Sequence, residues 1–369
     1  MLTPFAAAAA ALAICSAPPP PAATSEIVAG AHAQEAATAP EPGGIGADAL
    51  AAAQAYSDSK RGAALLIWRK GKIVYEHYAP GCAADTRFDT YSMAKSVLGL
   101  AYGAALRDGV IASIDEPVSD YLTEWRGDPR GAITLRQLLG MRSGLKLYSM
   151  ARNEPQAMDL LTGPDVVATA LGTPLESPPG HLFEYDNANS QLAGIALNRA
   201  LKRAGQGDYA RYLSKVLWKP LGQSDAVVAL DHPGGEAHYF ATLRASVRDW
   251  MRVGVMIAHD GRFDGRQVLP AAWIREATTA DPVNPNYGLQ IWIGSPFAPH
   301  RRYGPNTPRT AIASQPYLAP DMIFFDGSGG QRVYVSKSLD LVIVRTGGED
   351  WTYDEAVIPN LIIAASKAP

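Results

Sequence analysis

The apolar positions change period along the chain. "GAALLIWRKGKIVYEHYA" gives two β-type runs flanking Lys70, Gly71 and Lys72, which predicts a hairpin, and "ADALAAAQAYSDSK" just before it predicts a helix. From Ser92, "SMAKSVLGLAYGAAL" carries Ala, Leu, Met and Gly on every face, has no Pro, and ends at "RDG", where Gly109 suits a C-cap. The pattern stays mostly helical through "TLRQLLGMRSGL", "SQLAGIALNRALKRAG" and "VRDWMRVGVMIAHDG", broken by Pro- and Gly-rich loops. Strand character returns in "YGLQIWIG", "MIFFDG", "QRVYVSKS" and "LDLVIVRTGG", and "AVIPNLIIAASK" closes the chain as a helix. Strands at both ends around a helical middle predict an α+β fold. Its antiparallel sheet is built from N- and C-terminal segments flanked by helices, with a mostly helical region, residues 110–280, inserted between them.

Composition narrows the function classes. The 369 residues are 47% hydrophobic and 19% charged with net charge −3, and Lys and Arg form no runs. Nucleic acid and anionic membrane surfaces are therefore poor partners, and small molecules good ones. The apolar run "FAAAAAALAIC" is too short to span a bilayer, and "SAPPPPAATSE" cannot build a core. Residues 1–33 read as an export signal and leader, 34–50 as a disordered linker and 51–369 as the folded domain, which places the protein in the periplasm or cell envelope. "LAIC", ending at Cys15, resembles a lipoprotein site and would give a membrane tether; cleavage after "AHA", ending at Ala33, would give a soluble form. With the leader removed Cys82 has no partner for a disulfide and reads as a small core residue.

Candidate chemistry centres on Lys95. A helix apolar all round is buried, and burial together with the positive end of the helix dipole lowers a lysine's pKa. Ser92 lies three residues earlier on the same face, within reach of a neutral amine. The plain alternative is that Ser92 caps the helix and Lys95 snorkels to water. A second Ser-x-x-Lys, Ser57 to Lys60, lies in a polar stretch that gives no desolvation. In "PPGHLFEYDNANSQLAG" an extended segment sets Tyr185 and Asn187 on one side, where a phenol relays a proton and an amide holds an amine; otherwise Tyr185 packs and Asn187 or Asn189 caps a helix. In "FFDGSGGQRVYV" a Gly-rich turn opens into a strand, whose N–H would join that of Ser92 around an oxyanion, or which simply turns a hairpin. No Gly-x-Ser-x-Gly, His-Glu-x-x-His or paired Cys-x-x-Cys occurs, and His77, His181 and His259 sit apart.

"SMAK" at Ser92 to Lys95, "YDN" at Tyr185 to Asn187 and the Gly-rich strand after residue 325 stand in the order of the three motifs of serine β-lactamases and penicillin-binding proteins. The surrounding phrases are most similar to class C-related esterases and amidases, especially 6-aminohexanoate-dimer hydrolases, over roughly residues 60–348. The resemblance implies Ser92 as nucleophile, Lys95 as its base, Tyr185 as proton shuttle to the leaving group and Asn187 as support for lysine and substrate. Ser328, with Gly329 beside it, would complete the oxyanion hole. It implies a small-molecule ester or amide substrate, no cofactor and no metal. The third motif departs from the family: "DGSGG" holds no cation where β-lactamases and transpeptidases have Lys or His, and Asp326 would repel a carboxylate. Neutral or cationic esters and amides are favoured. A β-lactamase or D-alanyl-D-alanine peptidase is the alternative enzyme, and a non-catalytic binding or sensor protein the alternative of another class.

Overall fold

The computed structural model describes Cys15, residues 21–33 and residues 44–366. Helix α1 (Ala47–Ser59) leads into strands β1 (Gly62–Arg69) and β2 (Lys72–Tyr78). Their two-residue turn sets Lys70 at φ 47° and Gly71 at φ 90°, the paired left-handed conformations that match hairpin twist. Helices α2 (Met93–Arg107), α3 (Asn187–Arg203) and α4 (Val247–Ala258) follow, with shorter helices between them. The C-terminal part supplies β3 (Trp292–Ile293), β4 (Ile323–Gly327), β5 (Gln331–Ser336), β6 (Leu341–Gly347) and α5 (Val357–Ser366). The six strands form one antiparallel sheet in the order β2-β1-β6-β5-β4-β3. Both ends of the chain thus build the sheet and the helical region lies between, the α+β architecture expected from the pattern.

Each face of the sheet is buried, so its strands are apolar at consecutive positions. Leu65 and Ile67 of β1 and Ile343 of β6 pack with Leu50 of α1 and Ile358 and Ile362 of α5. Leu66, Trp68, Val342 and Val344 face the other way, into the core shared by α2, α3 and α4. Helix α2 runs through that core, buried from Met93 to Ala105. Its small residues let neighbours close in: a Cβ at Gly103 would stand 2.1 Å from the Trp273 ring. The helix stops at Gly109, φ 68°, where the Val110 N–H bonds back to Ala105 O at 2.9 Å.

Four features differ from the sequence reading. Ser25–Val28, inside the stretch read as leader and linker, is a strand paired with Ala226–Ala229, and it joins Phe88–Asp89 and Arg244–Ala245 in a small second sheet. Ordered chain also precedes residue 51, because Ile45 and Leu50 bury against the sheet and α1 starts at Ala47; residues 1–14, 16–20 and 34–43 of the leader and linker lie outside the described residues. Cys82 is bonded to Cys15, with Cα atoms 4.9 Å apart, so its unpaired state belongs to a chain without its first residues. "YGLQIWIG" yields only two strand residues, because Gln290 turns inward at φ 63°. Its amide bonds Ser190 and Leu139 while its carbonyl accepts from Ser96 Oγ at 2.7 Å, tying α2 to α3 instead of extending a ladder. Among the described residues no helix is long and apolar enough to cross a bilayer.

Candidate active site

Ser92 occupies the N-cap position of α2, yet its side chain makes no cap bond. Its Oγ lies 2.9 Å from Lys95 Nζ. Lys95 does not snorkel: it is 1% exposed, and Nζ donates to Asn187 Oδ1 at 2.9 Å and to the Phe240 carbonyl at 3.0 Å. The Tyr185 and Phe240 rings stand 5.0 and 5.2 Å away. Burial pushes the amine down to about 7, against the opposing pull of the Asp186 and Asp326 charges. A neutral amine has two N–H groups and one lone pair. When charged, Lys95 donates to all three oxygens; in the neutral form the two carbonyl oxygens retain the N–H groups and the lone pair is left for the Ser92 hydroxyl.

The segment before α3 brings three consecutive side chains to this point. Tyr185, in hydrogen-bonding contact with Ser92, packs among Tyr287, Trp292 and Tyr303. Burial pushes its phenol well above the ordinary tyrosine value, with the Asp326 charge adding to the effect. Asn187 opens the helix and holds Lys95, while the capping role falls to Asp186, whose carboxylate accepts from the Ala188 N–H at 3.2 Å. Asp186 is 3% exposed, and burial raises its carboxyl to about 7.

The third motif lies at the end of β4. Gly327 is required there, because a Cβ would stand 2.2 Å from the Thr90 carbonyl, two residues before Ser92. Neither the Ser92 N–H nor the Ser328 N–H has a hydrogen-bond partner among the described residues, which leaves both free for a ligand. Ser328 lines the cavity in front of Ser92; Gly329 does not. At φ 69°, with a built Cβ 2.2 Å from Glu349 Cα, Gly329 forms the back of the turn. The expectation that Asp326 repels a carboxylate is corrected by its partners. Arg301 Nη2 lies 2.6 Å from it, Arg332 also pairs with it, and both arginines bind Glu355 at 2.8 and 3.0 Å. Burial alone would raise the Asp326 carboxyl, but Arg332 and Arg301 hold it below the usual range. Tyr303 Oη donates to the same carboxylate at 2.7 Å.

These groups open on a cavity of ≈ 360 Å³. Its wall is mainly apolar, with Leu147, Tyr148, Met150 and Phe240, and its rim carries Arg309 stacked 4.2 Å from the Trp351 ring. Ser57 and Lys60 take no part: Lys60 Nζ bonds Thr352 at the surface. His77 and His259 bind Gln54 and Asp340 away from the cavity, and His181 is exposed. Among the described residues no group of three or more potential ligands could hold a metal. The Phe240 carbonyl, Asp186 and the two buried arginines were not singled out from the sequence. A backbone oxygen has no residue signature, and Arg301 stands 25 residues from Asp326 and 54 from Glu355.

The chain is similar to several known proteins. A 6-aminohexanoate-dimer hydrolase of Paenarthrobacter ureafaciens is 27% identical over 224 residues, covering 57% of this chain and 55% of the relative. Protein flp of Staphylococcus aureus is 26% identical over 171 residues, 43% of this chain and 33% of its own. The chain therefore spans about half, or a third, of the length of these relatives. Among solved structures, a Bacillus anthracis protein provisionally named a 6-aminohexanoate-dimer hydrolase superposes with a TM-score of 0.69 at 21% identity, covering 85% of this chain and 81% of that one. A penicillin-binding protein homologue from Caulobacter crescentus gives 0.62 at 15% identity, covering 89% and 99%. The Beta-lactamase family profile matches residues 47–347, from α1 to the end of β6, and the chain belongs to that family.

Proposed function

We propose that this protein is a serine hydrolase cleaving an ester or amide bond of a small molecule through an acyl-enzyme on Ser92. The observation that carries the reading is the setting of Lys95 Nζ, buried, with two carbonyl acceptors and its remaining direction on Ser92 Oγ. Near neutrality much of this amine is uncharged. Ser92 Oγ adds to the substrate carbonyl carbon while its proton passes to Lys95 Nζ. The Ser92 and Ser328 N–H groups meet the oxyanion. Collapse breaks the bond to the leaving group, which departs with the proton relayed through Tyr185. Water then adds to the acyl carbon, its proton passes to Lys95, and the second collapse returns that proton to Ser92 Oγ as the acid is released. Because the Tyr185 phenol is pushed far up, Tyr185 donates and Lys95 is the base.

The apolar wall suits an uncharged or cationic substrate. Position 325, just ahead of Asp326, is a buried Phe, so the third motif offers no cation to a β-lactam carboxylate. The name of the Paenarthrobacter ureafaciens relative fits this class, and the apolar run ahead of Cys15 fits export to the periplasm or cell envelope. The test is labelling with a phosphonate probe followed by mass spectrometry, with a panel of esters, amides and a chromogenic cephalosporin. Label is expected on Ser92, turnover on a short acyl ester before the cephalosporin, and a loss of roughly 10⁴-fold or more in Ser92→Ala. An unlabelled Ser92 with no turnover would instead favour a binding protein.

A further inference from the structure

The turn that presents the Ser328 N–H is held from behind by two buried arginines. The peptide unit bearing this N–H has Gly327 O at its other end, and that oxygen accepts from Arg332 Nη1 at 3.2 Å. In a trans peptide the C=O and N–H point in opposite directions. An arginine behind Gly327 O therefore turns the Ser328 N–H the other way. The following carbonyls are gripped in the same fashion. Gly329 O accepts from the Asp350 N–H at 3.1 Å and Arg345 Nη1 at 3.4 Å, and Gly330 O accepts from Arg345 Nη1 at 3.0 Å. Gln331 Nε2 stands 3.4 Å from Ser328 O and binds Gly347 O at 2.6 Å, so the neighbouring strand shares the load.

Arg345 is the more unusual of the two. It is 0% exposed and forms no carboxylate ion pair among the described residues. Its guanidinium is spent on the carbonyls of Gly329, Gly330 and Lys60 and on the face of Tyr353, 4.9 Å away. A buried cation is costly, and an apolar side chain would fill the space without that cost. Arg332 is anchored by Asp326 and Glu355, which are in turn tied to Arg301. That cluster gives Asp326 a purpose other than touching substrate.

We propose that Arg332 and Arg345 are positioning residues for acyl transfer. They fix the Ser328–Gly330 turn, and the positive charge on Gly327 O polarises the peptide so that the Ser328 N–H is a stronger donor to the tetrahedral oxyanion. The inference rests on the acyl-enzyme reading of Ser92.

The test compares wild type with Arg332→Lys and Arg345→Lys, with rates expressed per phosphonate-titrated Ser92. An ammonium keeps the charge but not the fork that spans two acceptors. Expected in either variant is a fall in kcat of about 10- to 100-fold, short of the roughly 10²- to 10³-fold for deleting an oxyanion donor. KM should stay within about twofold, and affinity for a boronic acid forming a tetrahedral adduct on Ser92 should fall in step with kcat. The acid limb of the pH profile should not move, since Lys95 is untouched. Arg345→Lys leaves the Asp326 and Glu355 pairs intact and gives an independent reading should Arg332→Lys not fold. A lower melting temperature with kcat per titrated site and boronate affinity unchanged would overturn the proposal. Turnover surviving in Ser92→Ala would overturn the acyl-enzyme reading instead.

Discussion

Lys95 decides the chemistry at the scale of single residues. In the proposed reaction its neutral form accepts the Ser92 proton, so kcat/KM for a neutral ester should rise tenfold per pH unit below about 7 and level off above it. Asp186 bears on this limb because its charge pulls the Lys95 value upward against burial. Asp186→Asn keeps an oxygen for the Ala188 N–H and removes the charge, which Asp186, itself raised to about 7, carries chiefly in the upper part of this range. The acid limb should then move to lower pH, so the variant gains relative activity in mild acid; a limb that stays or moves up would mean that this charge is not felt at Nζ. Tyr91, next to Ser92, adds a local strain: it sits at φ 48°, a conformation held only where surrounding structure enforces it.

Helix α2 is the element that carries Ser92 and Lys95, and its small residues set how deep it lies. In an isolated helix Gly103→Ala would help by roughly 1 kcal/mol. Here the added methyl meets the Trp273 ring at 2.1 Å, and overpacking of this kind typically costs about 1–3 kcal/mol. The variant should melt at lower temperature and lose ester turnover, because any shift of α2 moves Ser92 relative to Ser328. A melting temperature above wild type would show that Trp273 gives way. Helix α2 was legible from its composition, as were the hairpin at Lys70 and Gly71 and the stop at Gly109. The two-residue strand at Trp292 was not, since the inward turn at Gln290 follows from bonds to Ser190 and Leu139, on other elements.

At the scale of the molecule, both ends of the chain close the structure. The Ser25–Val28 strand covers the edge of Ala226–Ala229, buries Val28 and is fastened by Ser214 and Asp225 to the Ala29 and Gly30 N–H groups at 2.7 and 2.9 Å. A chain beginning after Ala33 should lose the burial of Val28, about 1.5–3 kcal/mol, together with the Cys15–Cys82 bond, typically about 2–4 kcal/mol, and melt several degrees lower by calorimetry. Its labelling at Ser92 should persist, because no residue of this strand lines the cavity. Loss of labelling would tie the strand to the site.

The sequence alone determined that the chain alternates strand and helix in the α+β order, that α2 is buried and that its lysine is therefore held toward neutrality. These are consequences of periodicity and local composition: a helix apolar on every face has none to give to water. Tertiary structure alone decided what meets that lysine. Asn187 and the Phe240 carbonyl come from 92 and 145 residues away, and the arginines behind the Ser328 turn join strands and loops far apart in the chain. Hydrogen bonds between distant segments leave no spacing to read, since they exist only once packing has brought the two backbones together.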